Sequence, residues 1–171
     1  MHIHTDIVII GGGIAALQAA HKLSKRYDVH IITKGELKRS SSYIAQGGVA
    51  AAISNDDNFQ LHIEDTLIAG DHHHHLGNVE TLISHGAQVV SALISEGFPA
   101  DRTAEGALAF CLEGAHRRRR IVHAGGDATG KHLINYLLAH LPNNVTVHQH
   151  ELAYELMVNS RGECCGVYVK S

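Results

Sequence analysis

The stretch that decides the fold is Asp6-Ile-Val-Ile-Ile-Gly-Gly-Gly-Ile-Ala-Ala16. It begins with a short continuous apolar run, which is typical of a strand buried on both faces of a parallel sheet. Three glycines follow at once, and residues 14–25 then place apolar side chains at the spacing of one helix face. A second β-branched run occupies residues 29–33. This order predicts a strand, a helix and a second, parallel strand joined by a right-handed crossover.

The glycines of this unit match the spacing G-x-G-x-x-[G/A], in which Gly11, Gly13 and Ala16 are the fixed positions. The first glycine allows a tight turn, the second lets backbone approach a pyrophosphate, and the alanine allows the helix to pack closely on the strand. The pattern predicts a dinucleotide site, with a glycine-rich turn of an unrelated α/β protein as the alternative. NAD fits less well, because Lys34 stands where an acid would accept the ribose hydroxyls and Glu36 comes two residues later.

The remainder of the chain continues the alternation of helices and strands. We predict a small-residue loop over residues 40–52, helices over residues 59–69, 78–96 and 127–141, and strands over residues 145–148, 152–158 and 165–169. Asn78 and Gly97 are expected as the N-cap and the C-terminal stop of the middle helix, and Arg161-Gly162 as a hairpin turn. The fold class is therefore α/β: a Rossmann-like domain with a parallel sheet and an additional β-hairpin or β-meander segment.

Composition narrows the function classes. The chain has 171 residues, is 44% hydrophobic and 18% charged, and carries a net charge of −3, which suits one folded domain and argues against a dedicated nucleic-acid binder. No apolar run approaches the roughly 20 residues that span a bilayer. Three cysteines, Cys111, Cys164 and Cys165, are too few and too poorly spaced for a disulfide framework or a zinc signature. We expect a cytoplasmic protein without a metal site, a nucleic-acid partner or a membrane partner.

Two runs of four identical residues, one of histidine and one of arginine, each have a functional and a structural interpretation. His72-His-His-His75 has the composition of a metal tract but lies between two predicted helices, so a solvated loop is the preferred interpretation. Arg117-Arg-Arg-Arg120 could contact nucleic acid, but a solvated turn or a run next to an acidic partner surface is the commoner case. His116 and His123 flank the arginines and either line a cofactor site or have a core or surface role.

Four further segments carry a family resemblance. The first, Arg39-Ser-Ser-Ser-Tyr-Ile-Ala-Gln-Gly-Gly48 followed by Val-Ala-Ala-Ala52, resembles the flavin loop of the fumarate reductase, succinate dehydrogenase and L-aspartate oxidase flavoproteins. His62-Ile-Glu-Asp-Thr-Leu-Ile-Ala-Gly70 resembles the helix after that loop. Leu112-Glu-Gly-Ala-His116 and Arg120-Ile-Val-His-Ala-Gly-Gly-Asp-Ala-Thr-Gly130 resemble later blocks of the L-aspartate oxidase branch. The resemblance extends from Asp6 to about Val169.

The resemblance implies FAD as cofactor and oxidation of L-aspartate to iminoaspartate, with O2 or fumarate as electron acceptor, on the quinolinate route to NAD. It also suggests the next enzyme of quinolinate synthesis as a partner. Two alternatives stay open: a soluble fumarate reductase or succinate dehydrogenase flavoprotein, and a non-catalytic dinucleotide-binding module. Members of the family are longer, so residues 1–171 are expected to form the N-terminal part of the FAD-binding domain. The capping and C-terminal helical domains would be absent, and the chain alone would be inactive.

The resemblance also assigns roles to individual residues. One residue has a role toward substrate: Glu113 is expected to orient the substrate ammonium. Covalently flavinylated members carry histidine where this sequence has Ser41, so FAD is expected to be non-covalent. The cofactor-binding residues are expected to be the turn and helix start, one residue after the second strand, the serine-glycine loop and one later strand residue, namely Gly11, Gly12, Gly13, Ile14, Ala15, Lys34, Ser41, Ser42, Tyr43, Ile44, Ala45, Gln46, Gly47, Gly48 and Ala153.

Overall fold

The computed structural model describes residues 2–171, and they divide into two compact units. One unit contains the chain up to Ala45 and again from Gly130 to Ser171, and we call it the split unit. The other, Gln46–Thr129, is continuous in sequence, and we call it the inserted unit. The elements in chain order are β1 (Ile7–Ile10), α1 (Ile14–Leu23), β2 (Val29–Thr33), a 3₁₀ turn (Leu37–Arg39), β3 (Val49–Ala50), α2 (Phe59–Ala69), α3 (Leu76–Ser95), β4 (Phe110–Cys111), β5 (Ile121–Val122), α4 (Thr129–Ala139), β6 (Val145–Gln149), β7 (Leu152–Val158) and β8 (Cys164–Lys170).

A three-stranded parallel sheet in the order β1-β2-β6 organises the split unit. In the register, Ile31 of the central strand stands opposite Ile9 on one side and Val147 on the other. Val29 and Ile31 are fully buried, as are Leu17 of α1 and Ile134 of α4. The predicted strand–helix–strand unit and the α/β class are therefore confirmed, because the central strand buries Val29 and Ile31 on one face and Ile32 on the other, as a two-sided strand requires.

An antiparallel hairpin of β7 and β8 follows the parallel sheet. The turn between the two strands is closed by the Asn159 side chain, whose oxygen accepts hydrogen bonds from the backbone N–H groups of Arg161 and Glu163. The predicted hairpin at Arg161-Gly162 is thus confirmed, and its second strand is one residue longer at each end than expected.

The inserted unit contains α2, α3 and a small antiparallel sheet in the order β3-β5-β4. The helices pack through Ile63 and Leu67 of α2 and Val79 and Ile83 of α3. Each strand of this sheet has only two residues, so none shows the alternation from which a strand is predicted. The expectation that residues 40–52 are entirely loop is wrong for this reason, since β3 lies within them.

The bounds of three predicted helices, α1, α3 and α4, are wrong, and local hydrogen bonds explain the observed start of α3 and the observed end of α1. α3 begins at Leu76 with His75 as its N-cap, because the His75 carbonyl already accepts from the N–H groups of Asn78 and Val79. Its predicted stop is confirmed: Gly97 has φ +101°, a conformation that favours glycine. α1 ends at Leu23, whose carbonyl closes a turn with Tyr27, and α4 is two residues shorter at each end than predicted.

Among residues 2–171, no helix combines the length and the apolar character that a membrane span requires.

Replacing Gly130 by alanine should destabilise the split unit. A Cβ at Gly130 would collide with the Ser42 carbonyl oxygen and lie 2.8 Å from that of Ala45, so the loop must move. We expect a loss of about 1–3 kcal/mol in the free energy of unfolding, measured by urea denaturation of the purified protein. Gly86→Ala is the matched control, because its Cβ would meet no atom within 4 Å and should stabilise α3 by about 0.5–1 kcal/mol. Equal stability of the two variants would contradict the packing described.

Candidate functional site

The glycine turn joins β1 to α1 at the carboxyl end of the parallel sheet. Gly11 has φ +112°, and its N–H donates a 2.8 Å hydrogen bond to the Ile32 carbonyl of β2. A Cβ at Gly12 would collide with Leu37 and lie 3.2 Å from Thr33, so a larger residue does not fit there. The turn therefore keeps its backbone close to the end of β2, as the fingerprint predicts.

A cavity of about 640 Å³ opens at this edge of the split unit. Its volume lies in the range of small-molecule and cofactor sites. The wall is formed by the ends of β1 and β2, the segment after β2 and the start of β7. Five residues predicted to bind the cofactor line it: Gly11, Gly12, Lys34, Ser41 and Ala153. The sequence-predicted residues from the turn, the second strand and the late strand therefore meet in one place.

The cavity wall also contains charged residues that were not predicted as site residues. Glu36 lines the cavity beside Lys34, and Glu151 lines it from the connection between β6 and β7. Arg39 completes the set and forms a 3.3 Å ion pair with Glu36. Glu36 was recognisable only by its position two residues after Lys34. Glu151 gave no local signal, because the pairing of β6 with β2 brings it there.

The serine-rich segment supports the start of α1. Ser42 Oγ accepts a 3.1 Å hydrogen bond from the Ile14 N–H, and it would lie 3.0 Å from a Cβ on Gly13. Ser40 accepts from the N–H of Tyr43 through its side chain and its carbonyl. The predicted residues of this unit that are not among those lining the described cavity are Gly13, Ile14, Ala15, Ser42, Tyr43, Ile44 and Ala45.

The remaining predicted site residues, Gln46, Gly47, Gly48 and Glu113, belong to the inserted unit. The Gly47 N–H donates a 2.8 Å hydrogen bond to Asp127 Oδ1. A Cβ on Gly48 would collide with Ile121 of β5, and one on Gly47 would lie 4.0 Å from Glu113 Oε1. The glycine pair thus lies against β5 with the Glu113 carboxylate beside it.

His123 follows β5 and lies next to the same glycines. Its Nε2 is 3.5 Å from Glu113 Oε1 and would lie 3.0 Å from a Cβ on Gly48. Its Nδ1 is 3.0 Å from the Gly126 carbonyl oxygen. The Asp101 carboxylate accepts from the N–H groups of Gly125 and Gly126 at 2.8 and 2.9 Å and so holds that carbonyl in place. The ring of His123 therefore lies beside the Glu113 carboxylate, whereas His116 contacts Glu113 through its backbone N–H.

One member of the arginine run, Arg120, is buried, which corrects the solvated-turn interpretation for that residue. Arg120 is fully buried and makes two hydrogen bonds to Asp57, at 2.7 and 2.8 Å, and one to Asp65 at 2.8 Å. Arg117 binds Asp65 as well, through its backbone N–H and its side chain. Arg118 and Arg119 are exposed. The acids come from the loop before α2 and from α2 itself, so the acidic surface beside the run belongs to this chain.

The network shifts the pKa of two buried groups. Burial, together with the charges of Arg120 and His116, lowers the pKa of His62 to about 4. Burial alone would raise the pKa of Asp65, but hydrogen bonds from Arg117 and the charge of Arg120 hold it below its usual value. His116 belongs to this network, because its Nδ1 is 3.3 Å from Arg120 and its ring packs edge-on against His62. The inserted unit therefore keeps His62 neutral and Asp65 ionised near pH 7.

The four-histidine run forms the connection between α2 and α3, as predicted, and three of its residues are exposed. Asp71 and His72 have positive φ values of 48° and 58°, so the connection is a tight turn. Within residues 2–171, no group of three or more His, Cys, Asp or Glu side chains is arranged to hold a metal ion.

Comparison with known families and curated proteins gives consistent matches. The family described as FAD binding domain matches residues 6–171. The L-aspartate oxidase of Bacillus subtilis (strain 168) is 43% identical over 164 residues, which cover 96% of this chain and 31% of that protein. The L-aspartate oxidase of Streptomyces coelicolor is 38% identical over 167 residues, covering 96% of this chain and 29% of that protein. The chain thus spans less than a third of the length of these relatives.

Solved structures match over nearly the whole chain. A quinol fumarate reductase subunit of E. coli has a TM-score of 0.87 and 25% identity, covering 98% of this chain and 29% of that one. The Mycobacterium smegmatis Sdh1 complex in its apo form has a TM-score of 0.85 and 26% identity, covering 96% and 30%.

The stability of the protein should fall as the pH is lowered from about 6.5 to about 4, in part through His62. The unfolded chain protonates this imidazole near 6.5 and the folded chain only near 4, so the unfolded state binds more protons between these values. We expect the slope of unfolding free energy against pH in this window to be smaller in His62→Phe. Urea unfolding at several pH values measures it. His85→Gln, on the exposed part of α3, is the control, and identical slopes in all three proteins would refute the assignment.

Proposed function

The chain belongs to the family of FAD binding domains, and on this premise we propose that it is the FAD-binding part of an L-aspartate oxidase. The reaction is oxidation of L-aspartate to iminoaspartate, with O2 or fumarate as electron acceptor, in quinolinate and NAD synthesis. The observation that carries the proposal is the Glu113 carboxylate beside Gly47, in a block that resembles L-aspartate oxidases. The 43% identity to the Bacillus subtilis enzyme supports it.

The residues of the split unit fit FAD. A Cβ at Gly11 would meet no atom within 4 Å, so the backbone there faces open space. The N-cap residue of α1, Gly13, has no side chain that could bind the N–H groups of the first turn, and that turn contains no acid. Apart from the Ile14 N–H, which Ser42 binds, the positive end of the helix dipole suits a phosphate. In the cavity wall, Lys34 offers a positive charge and Glu36 an acceptor for a ribose hydroxyl. Ala153 would contribute backbone beside the adenine.

When bound, FAD supplies the acceptor for the hydride that leaves the substrate Cα. The contribution of this chain is to bind and orient. The Glu113 carboxylate would accept a charge-assisted hydrogen bond from the α-ammonium of aspartate. Succinate and fumarate have two carboxylates but no ammonium, so the same group would repel them. Glu113 is therefore proposed as the residue that selects the amino acid.

The proposal extends to domain organisation and location. The curated relatives are about three times as long as this chain. We place residues 1–171 in the N-terminal part of the FAD-binding domain. The capping and helical domains that complete the substrate site would lie elsewhere in a longer protein, and the chain alone should not oxidise aspartate. We also propose a cytoplasmic location and the next enzyme of quinolinate synthesis as a partner.

Anaerobic mixing of the full-length holoprotein with possible substrates tests the reaction. We expect L-aspartate, and not succinate, to bleach the flavin absorbance. Bleaching by succinate alone would favour a fumarate reductase or succinate dehydrogenase, and a quinol fumarate reductase is among the solved structures that match. A flavin that responds to neither would favour a non-catalytic dinucleotide-binding module.

The FAD of the full-length protein should be released intact by acid or heat. The reason is Ser41, whose hydroxyl cannot form the histidyl–flavin bond of the covalent family members. Two measurements locate the flavin. A denaturing gel viewed under ultraviolet light shows flavin that stays with the protein, and the supernatant of acid-treated protein contains the flavin that is released. Fluorescence that stays with the protein band would contradict the prediction.

Substitution of Glu113 by glutamine should lower kcat/KM for L-aspartate about 10- to 100-fold, because the amide oxygen can still accept from the ammonium but the negative charge that strengthens this bond is lost. Fumarate reduction should survive, since fumarate has no ammonium. Steady-state assays of both reactions in the full-length holoprotein measure the effect. Glu80→Gln, on the exposed face of α3, is the matched control. Equal losses in both reactions, or no loss in either, would remove Glu113 from the selecting role.

A further inference from the structure

Two hydrogen-bond acceptors face each other beside the Gly47–Gly48 segment. Glu113 Oε1 and His123 Nε2 are 3.5 Å apart, within the inserted unit. The Glu113 side chain is 49% exposed and that of His123 is 17% exposed, so a small solute can reach both. Glu113 has a role in the proposed function, whereas the proposed function assigns no role to His123.

The tautomer of His123 follows from its other ring nitrogen. Nδ1 lies 3.0 Å from the Gly126 carbonyl oxygen, and a carbonyl can only accept a hydrogen bond. Nδ1 must therefore carry a proton. In the neutral imidazole, Nε2 is then a bare acceptor that points toward a carboxylate, which is also an acceptor.

The carbonyl that fixes this tautomer is itself held. Asp101 accepts hydrogen bonds from the N–H groups of Gly125 and Gly126, and its own N–H donates 2.8 Å to the His123 carbonyl. Asp101 thus holds the backbone of the turn after β5 at His123 itself and at Gly125 and Gly126, which follow it. A neutral histidine so fixed keeps its acceptor directed at one place.

Neither acceptor can satisfy the other, but a primary ammonium can satisfy both. An ammonium has three N–H donors and no acceptor, so it can donate to Glu113 Oε1 and to His123 Nε2 together. We propose that His123 is a second acceptor for the α-ammonium of the substrate and shares with Glu113 the selection of an amino acid over a plain dicarboxylate. This inference rests on the proposed function, since it takes L-aspartate as substrate.

A doubly protonated His123 is the alternative to the neutral acceptor. If His123 were doubly protonated, it would form an ion pair with Glu113 and compete with the ammonium. Removal of Nε2 would then tighten aspartate binding, whereas loss of an acceptor would weaken it. The sign of one measured change therefore separates the two arrangements.

Two substitutions separate the donor function of Nδ1 from the acceptor function of Nε2. In His123→Asn the amide nitrogen can take the position of Nδ1 and donate to the Gly126 carbonyl, but nothing replaces Nε2. In His123→Gln the amide oxygen can reach the position of Nε2 and accept. His85→Asn, on the exposed part of α3, serves as the control for a general loss of a histidine.

The test uses the full-length holoprotein under anaerobic conditions. The dependence of the flavin reduction rate on L-aspartate concentration gives its Kd apart from the limiting rate, and perturbation of the flavin spectrum gives the Kd of succinate. We expect His123→Asn to raise the aspartate Kd about tenfold and to leave succinate binding unchanged. His123→Gln should restore much of the loss, and FAD content should equal that of the unmodified protein in all variants.

The double variant Glu113→Gln/His123→Asn should lose less than the product of the single losses, because both groups hold the same ammonium. The proposal would be overturned by tighter aspartate binding in His123→Asn, by equal weakening for aspartate and succinate, or by weaker aspartate binding in His123→Gln than in His123→Asn. If Glu113→Gln weakens aspartate binding and His123→Asn does not, only this inference fails. If L-aspartate does not reduce the flavin of the unmodified protein, the proposed function itself fails.

Discussion

Burial of one guanidinium constrains the whole inserted unit. A charge removed from water costs several kcal/mol unless it is paired and hydrogen-bonded in good geometry. Arg120 meets this requirement with two bonds to Asp57 and one to Asp65. These acids come from the loop before α2 and from α2, whereas Arg120 leads directly into β5. Helix, loop and strand must therefore keep their relative positions for the charge to remain compensated.

The same constraint reaches the candidate substrate groups. Glu113 precedes the buried arginine, and His123 follows it at the far end of β5. The bond between Arg117 and Asp65 holds the intervening segment on α2. Precise placement of a binding group requires support from side chains that do not themselves bind. Here a buried salt bridge network provides that support, while the cavity of the split unit rests on the close packing of its glycine turn.

The sequence predicted what depends on local periodicity and on fixed spacing. The runs at residues 6–16 and 29–33 were sufficient to predict the parallel pairing of β1 with β2. Lys34 and Ala153 came from the family resemblance; both line the cavity beside the glycine turn, and their role toward FAD stays a prediction. Two-residue strands such as β3 and the contribution of Glu151 were missed, because long-range pairing alone creates them. Arg120 could not be singled out for a similar reason: a run of arginines gives no sign of which member will find two acids from another segment.

The division of the chain has a consequence for its synthesis on the ribosome. The inserted unit is continuous, so all its partners have been translated once Thr129 has emerged. The split unit cannot be completed then, because β6, which pairs with the central strand β2, comes later. The hydrogen bond from the Gly130 N–H to the Ala45 carbonyl draws together the two points where the chain leaves and re-enters the split unit. A nascent chain that ends near Gly130 would thus contain every residue of the inserted unit, but not β6. The edge of β2 that later pairs with β6 stays exposed until β6 is translated, so translation speed beyond Gly130 sets the duration of that exposure.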